Sequence, residues 1–234
     1  MSSMALAYAE NRNDVPGGRF RVKDPVSTLT HFIAFAAAVA ATPALLVHAA
    51  LHGAVLAELV SLSVFMLSMA LLYGASSAYH AFLLSVRGMR VLKKLDHTMI
   101  FFLIAGSYTP VCTVALGNAA GHRLLALVWA LAGLGAVFKL CWVGCPKWVS
   151  SVIYIAMGWV GVFVFGRLLA SLPVSAFLWL LAGGLIYTAG GIIYALKLPL
   201  FNSRHKEFGS HEVFHLFVMG GSVCHFLFMY LYVA

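Results

Sequence analysis

The sequence predicts an all-α membrane protein, a bundle of seven transmembrane helices, on three observations. Hydrophobic residues make up 62% of the chain and charged residues only 9%, against about 25% charged in a soluble domain. The apolar residues gather in seven runs, each long enough for the roughly 20 residues that a membrane-crossing helix needs. Lysine and arginine cluster in alternate connections between those runs, as the positive-inside bias requires.

Taken in order, the first 25 residues, MSSMALAYAENRNDVPGGRFRVKDP, are the longest polar stretch. They lack the basic-then-apolar order of a cleaved signal peptide. We read 1–25 as a cytoplasmic N-terminal segment and 26–234 as a single transmembrane domain. The predicted helices cover about 26–51, 57–84, 95–116, 122–142, 148–170, 174–197 and 211–233. Short connections make neighbours antiparallel. Pro43 should kink the first helix. In the sixth, Gly183/Gly190 and Gly184/Gly191 repeat at seven residues, which suits close helix contact through small side chains.

The formal charge of +8 does not point to nucleic acid, because the basic residues lie in short clusters between apolar runs. Thirteen of the fifteen lysines and arginines fall on one side, in the N-terminal segment and the second-to-third, fourth-to-fifth and sixth-to-seventh connections. Only Arg123 and Arg167 fall on the other. The N-terminus is therefore expected in the cytoplasm and the C-terminus outside. The four cysteines lie in or beside apolar runs and form no disulfide framework. Cys141 and Cys145 have helical i,i+4 spacing, but with no histidine or carboxylate nearby they read as packed thiols.

Few ionisable groups fall inside the runs, and such groups mark functional sites by default. Ser76 and His80 lie four apart near the end of the second helix. Asp96 opens the third. His211 and His215, four apart on one face, open the seventh. All five share one depth on the same side. His80, His211 and His215 with an open position make the ligand set of a catalytic zinc site, closed structural sites having four. Asp96 and Ser76 would then hold a bound water or a ligand's ring N–H. Any one of these histidines alone would read as an interfacial cap; three with an aspartate at one depth read as a site. His225, 14 residues beyond His211, is about 21 Å along the axis and cannot share the metal. His97 points about 100° away from Asp96, and His31 could support the site from behind. His211-Glu212-x-x-His215 also fits the H-E-x-x-H protease signature, a reading that leaves Ser76 and His80 without a role.

The segments SSAYHAF (76–82), KLDHTMIFFLIAGSYTP (94–110) and HEVFHLFVMGGSVCHF (211–226) resemble the three signature blocks of the haemolysin-III family, the bacterial branch of the progestin and adipoQ receptor group. The resemblance implies the same seven helices and orientation in a bacterial inner membrane. It also implies zinc on His80, His211 and His215, with Asp96 beside the metal-bound water, and an incidental Glu212. Alkaline ceramidases, more distant relatives with the same constellation, hydrolyse lipid amides. The long N-terminal cytoplasmic domain of adiponectin receptors is missing, which weakens a receptor role. The first function expected is a zinc-dependent hydrolase of a lipid amide or ester, tied to membrane lipid homeostasis, with Asp96 as base and Ser76 orienting Asp96 or the oxyanion. A membrane-state sensor with structural zinc stands close behind. A pore ranks lower, since no helix carries a continuous polar stripe, and so does the intramembrane protease. The partner implied is a membrane lipid; protein partner and oligomeric state stay open.

Overall fold

The computed structural model describes residues 21–196 and 208–234. Among them, seven helices are long and apolar enough to cross a membrane, so the chain is a multi-pass membrane protein. They are α1 (Pro25–Leu51), α2 (Leu56–Ala81), α3 (Val86–Pro110, continued by π-helical Val111–Leu116), α4 (Ala119–Cys141), α5 (Lys147–Ser171), α6 (Val174–Leu196) and α7 (Ser210–Tyr232). Their outward faces are apolar, as hydrocarbon demands: Leu134 is 69% and Phe163 84% exposed. Lys197, Arg204 and Lys206, the basic residues counted above in the sixth-to-seventh connection, lie outside the described residues, as does most of the 1–25 segment.

Local chemistry explains most boundaries. Pro25 sits in the first turn of α1, where its missing N–H costs nothing. The helix is released at Gly53, whose φ of 91° suits a residue without Cβ. Glu58 caps α2 by accepting from the Val55 N–H at 2.9 Å. The third helix departs from expectation: it begins at Val86, not at 95, and α2 ends at Ala81, not at 84. Ser85 accepts from the Gly88 N–H and marks the true start. Arg87, Arg90, Lys93 and Lys94 therefore ride on the first turns of α3 and not in a connection. Arginine and lysine are good helix formers, so their charge marks a membrane boundary without marking a helix end.

Two irregularities shape the interior. Pro110 has no N–H to give, and the last turns of α3 widen to π geometry before Gly117 (φ 55°) stops them. The expected single helix at 148–170 is broken: α5 runs as α-helix to Gly158, as 3-10 helix from Trp159 to Val164 and again as α-helix from Phe165. The Tyr108 hydroxyl causes the break. It donates to the Gly158 carbonyl and accepts from the Gly161 N–H at 2.8 Å, so a side chain has entered the helix ladder.

Packing follows chain order. The largest contacts join α1 to α2, α2 to α3 and α6 to α7, and α1 also meets α7, so first and last helices close the ring. Gly183 and Gly190 do face α7, lying against His225 and Phe217. Gly191 faces Ile155 of α5, whereas Gly184 has no close neighbour. Lys139, counted above among boundary charges, is 0% exposed. Its ammonium donates to Cys145 Sγ at 3.1 Å and to Ser150 Oγ, tying α4 to the start of α5. Cys145 is thereby a packed thiol, while Cys141 is exposed.

Candidate metal centre

The C-terminal end of α2 and the N-terminal end of α7 meet at one end of the bundle, and each presents histidine there. His80, His211 and His215 each offer a ring nitrogen within 4.8 Å of the other two, the one such group among the described residues. His80 Nε2 and His211 Nε2 are 3.1 Å apart. Two imidazole nitrogens held at about 2.0–2.1 Å from one tetrahedral ion stand about 3.3 Å apart, so the spacing fits a shared metal. His80 and His215 are 3% and 1% exposed, and the three rings pack against one another with centroids 4.5–5.1 Å apart. The donor set is three imidazole nitrogens with no fourth ligand in the group among the described residues, which suits a metal with an open position.

Ser76 and Asp96 are also buried at this end, at 1% and 8% exposure. Both line a cavity of about 200 Å³ that reaches His211 and His215. Asp96 faces Ser76, His80 and His97, and stands outside the group of mutually close ligand atoms. The sequence expectation for His97 needs correcting: its Nδ1 comes within 3.4 Å of Asp96 Oδ2. Neighbouring Cβ atoms do diverge around a helix, but the imidazole is long enough to fold back onto the carboxylate.

Two contributors from α1 escaped sequence reading. Asp24 Oδ2 accepts from His80 Nδ1 at 2.8 Å, and Ser27 Oγ donates to Glu212 Oε1 at 2.8 Å. Asp24 occupies the N-cap position of α1 without capping it, so its sequence signal is that of an ordinary helix start. Burial pushes its carboxyl up, but the His80 hydrogen bond and the Lys23 ammonium outweigh burial and hold it below the usual carboxylate value. His31, expected as support, stacks on His215 with ring centroids 3.7 Å apart.

Glu212 has both oxygens engaged. Oε1 receives Ser27 and Oε2 receives the Gly209 N–H at 2.8 Å, so it caps α7. The H-E-x-x-H protease reading needs that carboxylate free as a base, and here it is not.

The cavity runs from this polar end, between α3, α5, α6 and α7, past Ile104 and Leu181 to Phe165, Phe177 and His225. His225 is remote from the triad, its Nε2 lying 3.4 Å from the Leu180 carbonyl. Beside it, Ser222 joins Tyr73 and Tyr187 through hydrogen bonds of 2.7 and 2.8 Å.

A profile of Haemolysin-III related proteins matches residues 20–226. The chain is 35% identical to Hemolysin-3 of Bacillus cereus over 218 residues, 92% of this chain and 94% of that one. It is 34% identical to the Hemolysin-3 homolog of Bacillus subtilis (strain 168) over 208 residues, 88% and 93% of the two chains. A more distant match is the monocyte to macrophage differentiation factor of Homo sapiens, 29% identical over 140 residues, 58% of this chain and 54% of that one.

Proposed function

The chain belongs to the haemolysin-III family, and we propose that it is a zinc-dependent hydrolase of a lipid amide or ester, acting in the inner leaflet of a bacterial inner membrane. The observation that carries the reading is the meeting of three imidazoles with no fourth ligand in their group, with Asp96 and Ser76 lining the same largely apolar cavity as His211 and His215. His80, His211 and His215 would hold the metal. Zinc, when bound, supplies a Lewis acid that polarises a carbonyl and makes water acidic enough to attack near neutral pH.

The chain's own residues divide the remaining work. Asp96, enclosed beside the triad, takes the proton of the attacking water on its carboxylate and returns it to the leaving group. Ser76 holds that carboxylate in place. The apolar cavity wall receives the hydrocarbon of the lipid and excludes water other than the reactant.

The test is release of free fatty acid from a panel of ceramides and other acylated lipids. General acid–base catalysis contributes about 10²–10⁴-fold, so Asp96→Asn should keep its zinc and lose hydrolysis by about that factor, with Ser76→Ala losing less. Zinc-loaded protein that releases fatty acid from no lipid in the panel would favour a membrane-state sensor in which the metal only joins α2 to α7. The sidedness belongs to the same proposal: a reporter after Ala234 should behave as periplasmic, and one in the connection at 82–85 as cytoplasmic. Both reporters on one side would overturn it.

A further inference from the structure

Helix α1 contributes no ligand to the triad, yet its N-cap residue and two residues within it reach the ligand helices. Ser27 and His31, four apart, share one face of α1, and Asp24 stands just ahead of them at the N-cap. Each grips a different part of the centre. Asp24 accepts from His80 Nδ1 at 2.8 Å. Ser27 donates to Glu212, between the two histidines of α7, at 2.8 Å. His31 lies flat on His215, the ring planes 13° apart. Ser27 and His31 are 1% and 3% exposed.

This end of α1 is itself anchored. The backbone N–H groups of Lys23 and Asp24 donate to the carbonyls of Ala81 and His80 at 3.2 and 2.9 Å. Lys23 Nζ donates to the Tyr79 carbonyl at 2.9 Å and stands 3.2 Å from Asp24 Oδ2. These bonds satisfy the last carbonyls of α2, which have no partner within their own helix. They also fix the carboxylate against the imidazole.

We propose that α1 is the positioning helix of the metal centre and that Asp24 is its principal positioning residue. The inference rests on the reading that the triad holds a metal. An ionised carboxylate only accepts, so the proton between Asp24 and His80 sits on Nδ1. That leaves the lone pair on Nε2, the nitrogen 3.1 Å from His211 Nε2. Asp24 thereby selects the tautomer and the ring angle that a metal needs. Ser27 sets the rotation of α7 through Glu212, and His31 holds the plane of the His215 ring. Outer partners of this kind change metal affinity by about 10–100-fold.

The experiment is zinc affinity by competition with a chromophoric chelator, on full-length protein in detergent, with thermal melting of the metal-free forms and the visible spectrum of cobalt-substituted forms. Asp24→Ala should bind zinc about 10–100-fold more weakly, with a shifted cobalt spectrum and a metal-free melting curve close to wild type. Asp24→Asn, which keeps an acceptor oxygen but not the charge, should fall between, and Asp24→Glu should recover part of the loss. His31→Phe should keep affinity because the stacked face remains, whereas His31→Ala should lose some. Wild-type affinity and spectrum in both Asp24→Ala and Asp24→Asn would overturn the proposal, whatever the melting curves. Should Asp24→Ala not fold, Asp24→Asn, with its unchanged shape, decides alone. Wild-type protein that binds no zinc would overturn the metal reading and this inference together, an outcome distinct from a zinc-binding wild type matched by its variants.

Discussion

Helix α7 carries histidines at both ends of one face, and the two ends have different neighbours. His211 meets His80 at 3.1 Å and shares a three-nitrogen cluster with it and His215. His225, about 21 Å further along the axis, has its Nε2 3.4 Å from the Leu180 carbonyl and its ring edge-on to Tyr187. Around it are hydroxyls already committed to one another, those of Tyr73, Tyr187 and Ser222. Residue type and helix are the same at both positions. What differs is convergence: at the α1 end, four helices bring nitrogen and carboxylate to one point, and at the other end a single imidazole fills the room left by Gly183. A buried histidine becomes a ligand candidate through what the other helices bring to it.

The sharpest way to break that contrast is to empty the first end. His211→Ala with His215→Ala should take the protein from about one zinc per chain to almost none, measured by elemental analysis of purified protein. Full zinc retention in the double variant would mean that the metal sits elsewhere. His225→Ala should leave zinc content and affinity unchanged. Its cost is expected in thermal stability, at about 1–3 kcal/mol, the range for unsettling a buried hydrogen-bonding site. A drop in zinc there would erase the distinction between the two ends.

Much of this arrangement can be read in the amino-acid sequence, and what cannot has a physical reason. Seven apolar runs with alternating basic clusters are a long-range signal that local irregularity does not hide. The triad was legible because i,i+4 spacing and the order of membrane crossings together fix depth and face. The start of α3 was not, since Arg87, Arg90, Lys93 and Lys94 satisfy a helix and a membrane surface equally well. The break in α5 depends on the Tyr108 hydroxyl arriving from another helix, and no pattern within Lys147–Ser171 announces it. Asp24 was hidden in the same way. Before a proline, at the head of a helix, it has the look of a cap, and only the fold shows that its carboxylate turns to His80 instead. Lys139 shows the same limit in reverse: a charge counted at the membrane boundary is enclosed between Cys145 and Ser150.

The central claim is that one zinc sits on nitrogen from α2 and α7, and the most direct test is zinc X-ray absorption on purified wild-type protein. The account predicts about one zinc per chain, with a first coordination shell of nitrogen and oxygen alone at about 2.0–2.1 Å, dominated by imidazole. A sulfur scatterer near about 2.3 Å would move the metal to the cysteines and contradict it, as would the same spectrum from protein lacking His80, His211 and His215.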